Sequence, residues 1–303
     1  MPYTLTTPLY YVNDKPHLGS TYTTIACDAL ARYQRLRNGS VVFITGVDEH
    51  GQKIQRTAER QGVSPQEHCD RISSTYRELW ARWGISQDRF IRTTDPRHLQ
   101  LVQQFFARVE ASGDVVTGRQ TGWYCVDCEE FKDDPADAVD PDCPIHRKPL
   151  EWRDEQNLFF RLSRYQSAIE ELVNRDDFIA PASRRQEVRN FVAQGLRDFS
   201  ISRVNVSWGL PVPGHDGHTF YVWFDALLGY LTALLDDGDR GHPRALSRGD
   251  GGESELYQRL LCLAGPRLWS RPPASGRDCE LGGWDPLRQR ALHSDGAPAC
   301  LRR

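Results

Sequence analysis

The order strand, long helix, strand at the start of the chain constrains its fold more than any other feature. Thr4–Thr7 reads as a short strand, followed by a turn-rich loop from Pro8 to Pro16. The spacing from Leu18 to Arg37 predicts a helix with Ile25, Ala26, Ala29, Leu30 and Tyr33 on one broad face, stopped by Asn38-Gly39. Val41-Val42-Phe43-Ile44-Thr45 then reads as a buried strand. Two strands joined through a crossover helix lie parallel, so the chain is expected to build an α/β fold on a parallel sheet. Ser64-Pro65-Gln66-Glu67 carries a capping box and opens a further helix, with Ile72, Leu79 and Trp83 inward and Gly84 at its end. Asp95-Pro96 opens another, with Leu99, Val102, Phe106 and Val109 inward and Gly113 as terminator. Arg89–Thr94, between them, is expected to be a third parallel strand.

From Val115 to about Pro181 the pattern changes to short segments with Gly and Asp-Pro turns, as in an inserted module. Its signal feature is Cys125-Val126-Asp127-Cys128, followed by Cys143-Pro144-Ile145-His146. Each hook places two soft or borderline ligands on a tight turn, and together they can fill the four corners of a tetrahedral zinc site. A filled set leaves no open position, so the expected zinc is structural, one per chain. The alternative is three buried thiols beside an unrelated histidine. The remaining cysteines, at 27, 69, 262, 279 and 300, are scattered, which fits a reducing compartment better than a disulfide scaffold. Tyr221–Asp236 returns to a helical pattern through Trp223, Leu227, Leu228 and Leu231.

Composition narrows the setting. The chain has 39% hydrophobic and 26% charged residues and a net charge of −3, which is globular and does not announce nucleic acid. It contains no apolar run of about 18 residues, so neither a membrane helix nor a membrane partner is expected. Met1–Leu5 lacks the basic and apolar segments of a secretory signal, which leaves a cytoplasmic location as the expectation. The charge is not uniform. Residues 240–303 hold 11 arginines, no lysine and 7 acidic residues, are rich in Gly and Pro, and follow no sustained period. The last lysine is Lys148.

Two segments sit where an open parallel sheet binds ligands, outside the carboxyl ends of its strands. In Pro16-His17-Leu18-Gly19-Ser20, the helix start offers unpaired N–H groups to an anion, Gly19 permits close approach, and His17 can donate. A solvated cap histidine is the alternative. Val47-Asp48-Glu49-His50-Gly51 follows the second strand directly and should face the same crevice, unless it is a charged loop capping the next helix.

These segments carry a family resemblance. Tyr10 to Ser20, with its His17-Leu18-Gly19-Ser20, resembles the His-Ile-Gly-His signature of class I aminoacyl-tRNA synthetases in the methionyl form. Thr45-Gly46-Val47-Asp48-Glu49-His50-Gly51, Ile201-Ser202-Arg203, Tyr221-Val222-Trp223-Phe224-Asp225-Ala226 and the cysteine knuckle are similar to the same family in the same order, from about Tyr3 to Leu235. The resemblance implies a Rossmann-type catalytic core with an incomplete second half and an inserted zinc-knuckle connective domain. It divides the chain into a first catalytic half (1–114), a connective insertion (115–200, with the knuckle at 125–146), a return to the catalytic domain (201–239) and an atypical, irregular tail (240–303). It implies a methionine–tRNA ligase activity with ATP, carried with Mg, L-methionine and tRNA(Met) as partners. His17, Gly19 and Ser20 would hold the ATP phosphates. Asp48 would receive the methionine ammonium, with Arg203 fixing that carboxylate. Tyr11 and Trp223 would line the thioether pocket, and Leu9 would supply backbone contacts.

Two departures qualify the resemblance. The signature often ends in His where this chain has Ser20, whose hydroxyl can still donate to phosphate. The family's Lys-Met-Ser-Lys-Ser loop and its helical anticodon-binding domain have no counterpart before or within residues 240–303. An Arg-rich run after a good match is the pattern of translation in a shifted reading frame after about residue 239; a real extension is the alternative. Losing a catalytic cation costs several kcal/mol of barrier, so the expected activity of this chain is impaired. The rival readings are another class I synthetase, for cysteine or isoleucine, and a non-catalytic zinc-containing RNA-binding fragment. The Asp48-Glu49-His50 and Trp223 motifs disfavour the first, and the acidic body disfavours the second. Oligomeric state and initiator against elongator tRNA preference are not encoded legibly.

Overall fold

The computed structural model describes residues 3–132 and 141–234. The expectations for residues 240–303 therefore lie outside the described residues, as does the end of the last predicted helix. The first layer is a parallel sheet of β1 (Tyr3–Tyr11), β2 (Val41–Asp48) and β3 (Arg89–Arg92) in the order β1-β2-β3. The crossovers are α1 (Leu18–Leu36) between β1 and β2, then α2 (Gln52–Arg60) and α3 (Pro65–Arg82) between β2 and β3. The expected α/β arrangement holds.

The first strand runs four residues past its predicted end. Pro8 has no N–H to give to a ladder, and the structure places it in a β-bulge, where the register slips between Thr6 and Leu9. The strand resumes with Leu9 opposite Gly46 and Tyr11 opposite Asp48. Gly46 is required there, because a Cβ would stand 2.3 Å from the Ile91 carbonyl oxygen of the neighbouring strand.

Strand β2 is buried on both faces, as central parallel strands are. Phe43 joins Leu5, Cys27 and Ala31 beneath α1, while Ile44 joins Ile91 and Ala233 on the opposite face. Ala233 belongs to α7 (Val222–Leu234), which closes that opposite face. Helix α1 corrects the sequence expectation of its inner side. Its buried residues are Ser20, Thr21, Thr24, Cys27, Asp28 and Ala31, whereas Ile25 and Tyr33 are 44% and 53% exposed. Small side chains let the helix lie close on the sheet, and Asp28 is satisfied by Arg32 and Ser86. In α3 the Ser64 hydroxyl accepts from the Glu67 N–H as the capping pattern predicts. Cys69, Ile72, Tyr76 and Trp80 face inward there, while the predicted Trp83 stays half exposed.

The chain then passes through α4 (Pro96–Ala111), capped by Asp95, into an antiparallel layer. Long strands β4 (Val115–Cys125) and β6 (Glu151–Phe160) pair along their whole length, flanked by β5 (Glu130–Phe131) and β7 (Phe199–Ser200). Helices α5 (Gln166–Asn174) and α6 (Ala182–Val192) follow β6, and a small ribbon of β8 (Ser202–Arg203) and β9 (Thr219–Phe220) leads into α7. The largest core joins the two layers: Phe105 and Phe106 of α4 meet Phe220 and Phe224, and Leu158, Leu162, Ile169 and Val192 pack around them. Among the described residues no helix is long and apolar enough to cross a membrane.

Candidate active site and metal centre

Alternation along β2 decides what its carboxyl end offers. Residues two apart share a face, so Asp48 follows Ile44 to the α7 side, and Glu49 follows Val47 toward α3. Glu49 is fully buried and saturated. Arg92 Nε donates to both of its oxygens at 2.9 and 3.1 Å, Ser73 and Thr94 donate to one oxygen each, and its N–H donates to Thr93. Asp48 is the opposite case. It is 3% exposed, and its Oδ1 has no hydrogen-bond partner. Burial, followed by the charges of Asp225 and Glu129, pushes its carboxyl well above the ordinary carboxylate range.

Asp225 stands in the first turn of α7, wholly buried, with neither carboxylate oxygen hydrogen-bonded. His50 Nδ1 lies 2.9 Å from its Oδ2, close enough for an ion pair but out of line for a hydrogen bond. His98 of α4 closes the group. Its Nδ1 meets the Thr232 hydroxyl at 2.8 Å, its Nε2 has no partner, and burial holds it down to about 4 despite the Asp225 charge. The carboxyl end of the sheet thus gathers Asp48, His50, His98 and Asp225 with polar atoms buried and unsatisfied. Such atoms are uncommon in native interiors, and their clustering at the end of a parallel sheet makes this the candidate ligand site.

The other predicted residues fall around this group. Tyr11, the register partner of Asp48, donates to the His50 carbonyl at 2.9 Å, and burial together with the Glu129 and Asp48 charges raises its phenol far above normal. Leu9 packs against α7 beside Gly229, where an added Cβ would meet its Cδ1 at 2.8 Å. Trp223 is half-buried in the first turn of α7. His17 is the exposed N-cap of α1, and its Nδ1 accepts from the Gly19 N–H at 3.1 Å. In the neutral ring the proton then sits on Nε2. Ser20 is buried and closes the box, accepting from the His17 N–H at 3.0 Å and donating to the His17 carbonyl at 2.9 Å. Its hydroxyl proton is therefore engaged within the cap, and its place is to stiffen the turn that presents His17.

Arg203 departs from the expected pairing with Asp48. The guanidinium donates to Ser200 Oγ and the Ser202 carbonyl at 2.7 and 2.8 Å, and it lies over the Tyr221 ring at 4.2 Å, with Tyr124 and Phe131 alongside. Weakly hydrated, planar arginine is well suited to such an aromatic slot; its Nε has no hydrogen-bond partner, and its charge acts on Glu129. Asp225, His98 and Glu129 were not assigned from sequence. Asp225 had a signal, an acidic residue inside an apolar helical run; Glu129 and His98 had none.

The four knuckle ligands converge. Cys128 Sγ is 3.3 Å from His146 Nδ1 and 3.7 Å from Cys143 Sγ; Cys125 Sγ and Cys143 Sγ stand 3.7 and 3.8 Å from the same ring nitrogen. All four atoms lie within 4.8 Å of one another. Zn–S bonds of about 2.3 Å in a tetrahedron place sulfurs roughly 3.7 Å apart, so this set fits a closed Cys3His zinc site.

Comparison with known proteins shows the family and the fold. A family described as tRNA synthetases class I (M) matches residues 3–136 and 132–242. The methionine–tRNA ligase of Synechocystis sp. is 61% identical over 239 residues, covering 78% of this chain and 45% of that protein. The chloroplastic/mitochondrial methionine–tRNA ligase of Arabidopsis thaliana is 52% identical over 236 residues, covering 78% of this chain and 38% of that protein. Among solved structures, Mycobacterium tuberculosis methionyl-tRNA synthetase in complex with methionyl-adenylate superposes with a TM-score of 0.73 at 39% identity, over 82% of this chain and 48% of that one. The chain spans less than half the length of the curated relatives it matches.

Proposed function

Because this chain belongs to the class I tRNA synthetases of the methionine type, we propose that its crevice binds L-methionine and ATP for formation of methionyl-adenylate, the activated group then passing to tRNA(Met). One observation carries the reading: two buried carboxylates, Asp48 and Asp225, feel one another's charge, the His50 ring stands at Asp225 out of line for a hydrogen bond, and Asp48 Oδ1 has no partner at all. The α-ammonium of an amino acid supplies the missing cation. Methionine's carboxylate then attacks the α-phosphorus of ATP, an O–P bond forms, and pyrophosphate leaves with the broken bond's electron pair. The nucleophile is already an anion, so the chain has to position and neutralise rather than remove a proton.

In this reading Asp48 holds the ammonium, with Asp225 and His50 behind it. Tyr11 and Trp223 wall the thioether, Leu9 contributes backbone contacts, and an aromatic wall suits polarizable sulfur. His17 and the backbone from Gly19, stiffened by Ser20, meet the ATP phosphates at the α1 start, with Mg travelling as the nucleotide's counter-ion. Arg203 braces the Tyr124–Tyr221 wall rather than Asp48. Residues 1–114 and 201–239 make up the catalytic part, and 115–200 a connective insertion held by one zinc ion at Cys125, Cys128, Cys143 and His146. A cytoplasmic location fits three reduced thiolates at such a site.

The test is equilibrium dialysis of the 303-residue chain against labelled methionine, cysteine and isoleucine. Methionine binding at least tenfold tighter than the other two is expected. Equal binding of all three, or none of methionine, overturns the proposal.

A further inference from the structure

The knuckle is not a remote clamp, because two acids flanking one of its ligands close on Lys53, in the first turn of α2. Asp127 Oδ1 lies 3.6 Å from Lys53 Nζ, and Glu129 Oε1 accepts from the Lys53 N–H at 3.0 Å. Between them, Cys128 turns the other way into the metal set. Helix α2 has no cap of its own: its N-cap is Gly51, which offers no side chain. Glu129 supplies that cap from a segment 76 residues away. A carboxylate at a helix N-terminus satisfies an orphan donor and complements the dipole. To reach it, Glu129 adopts φ 56°, a left-handed conformation uncommon for a non-glycine residue.

The same carboxylate borders the amino-acid pocket. A Cβ on Gly51 would meet both Glu129 oxygens at 2.4 and 2.6 Å and the Tyr11 hydroxyl at 2.5 Å, so these three atoms crowd one spot. Lys53 Nζ stands 6.0 Å above the Tyr11 ring. Glu129 is itself 5% exposed, with no room to swing aside.

We infer that Glu129 is a positioning residue that ties the metal knuckle to the methionine pocket, by capping α2 and backing Tyr11, so that metal occupancy and methionine binding are linked. The pocket's ligand rests on the function proposed above; the cap does not. Linkage is reciprocal, so a knuckle that tightens methionine binding must itself hold its metal more firmly when methionine is bound.

The experiment compares the wild-type 303-residue chain with Glu129→Ala and Glu129→Gln, each loaded with zinc. Amide exchange in residues 52–55 is read against residues 222–234, together with methionine affinity and the rate of zinc loss to a chromogenic chelator. Loss of a helix cap in Glu129→Ala should speed exchange in residues 52–55 about five- to tenfold. Methionine affinity should fall by a similar factor, with zinc still near one per chain. Glu129→Gln keeps an acceptor oxygen and should restore both to within about twofold. In the wild type, methionine should slow zinc loss, and in Glu129→Ala it should not. Unchanged exchange in residues 52–55 overturns the inference, as does faster exchange with unchanged methionine affinity. If the wild type binds no methionine, the function reading falls and the exchange result alone decides the Glu129 assignment.

Discussion

Replacing Asp48 by Asn should move ligand binding and stability in opposite directions. Asp48 is almost fully buried, has one oxygen without a partner, and feels the charges of Asp225 and Glu129. Removing its charge relieves the burial and the repulsion from Asp225 and Glu129 that the ionised carboxylate suffers in the ligand-free chain, about 1–3 kcal/mol where that form prevails. For a chain of this size that corresponds to a rise in Tm of roughly 2–10 °C. The bound ammonium, however, loses its partner at a desolvated site, which costs about 2–5 kcal/mol, or roughly 30- to 4000-fold in affinity. The pH dependence has a definite sign. A carboxyl whose folded value is raised keeps its proton longer in the folded state, so its stabilising contribution is complete below the ordinary carboxylate range. That contribution drains away as pH rises toward the raised folded value. Wild-type stability should therefore decline with rising pH across that window, and Asp48→Asn should flatten the decline. Thermal melts from pH 4 to 8 and methionine dialysis measure the two arms. A variant that binds methionine within threefold of wild type, or that melts lower than wild type throughout, refutes the reasoning.

The neighbouring acid should behave differently. Glu49→Gln breaks a saturated buried site and should cost about 2–3 kcal/mol in urea unfolding, less than a fully buried pair because Arg92 is a quarter exposed and keeps Asp70; a loss under 0.5 kcal/mol would contradict the geometry. At the knuckle, Cys143→Ser replaces a fully buried ligand, and elemental analysis should find zinc dropping from one per chain to near none. Amide protection should then fall in residues 123–132 while residues 41–48 keep theirs, and retained zinc would count against the Cys3His set.

The parallel sheet and the knuckle were legible because each rests on local spacing. Two strands around a long helix, and two hooks of two ligands, leave little freedom in what they can build. The helix faces were less legible. In α1 the sequence shows a broad apolar stripe, yet the sheet takes the side of small residues, because close approach to β1 and β2 outweighs the burial of Ile25 and Tyr33. Pro8 read as the end of a strand because nothing local announces a bulge. The candidate site was half visible. Asp48, Tyr11 and His17 stand at strand and helix ends, where position alone suggests function. Glu129 and His98 come from segments 81 and 50 residues from Asp48, and only tertiary packing brings them there. Arg203 was expected beside Asp48; its contacts here are aromatic rings and two serine oxygens, set by a fold around it that its sequence position does not announce.

Asp48 and Glu49 separate structure from function within two adjacent residues. Both are buried carboxylates at the end of one strand, and the two-residue period of that strand sends them to opposite faces. On the α3 face, Arg92, Ser73 and Thr94 answer both carboxylate oxygens of Glu49 and Thr93 accepts from its N–H, so the charge serves the fold. On the α7 face, the His50 backbone meets the Asp48 carboxylate but Oδ1 is left without a partner and Asp225 adds repulsion, so the fold bears the cost. A chain selected for stability alone would place an amide or an apolar residue there. In the proposed function a cation from outside resolves that cost, while Glu129, which accepts from the Lys53 N–H, crowds against Tyr11 beside that place.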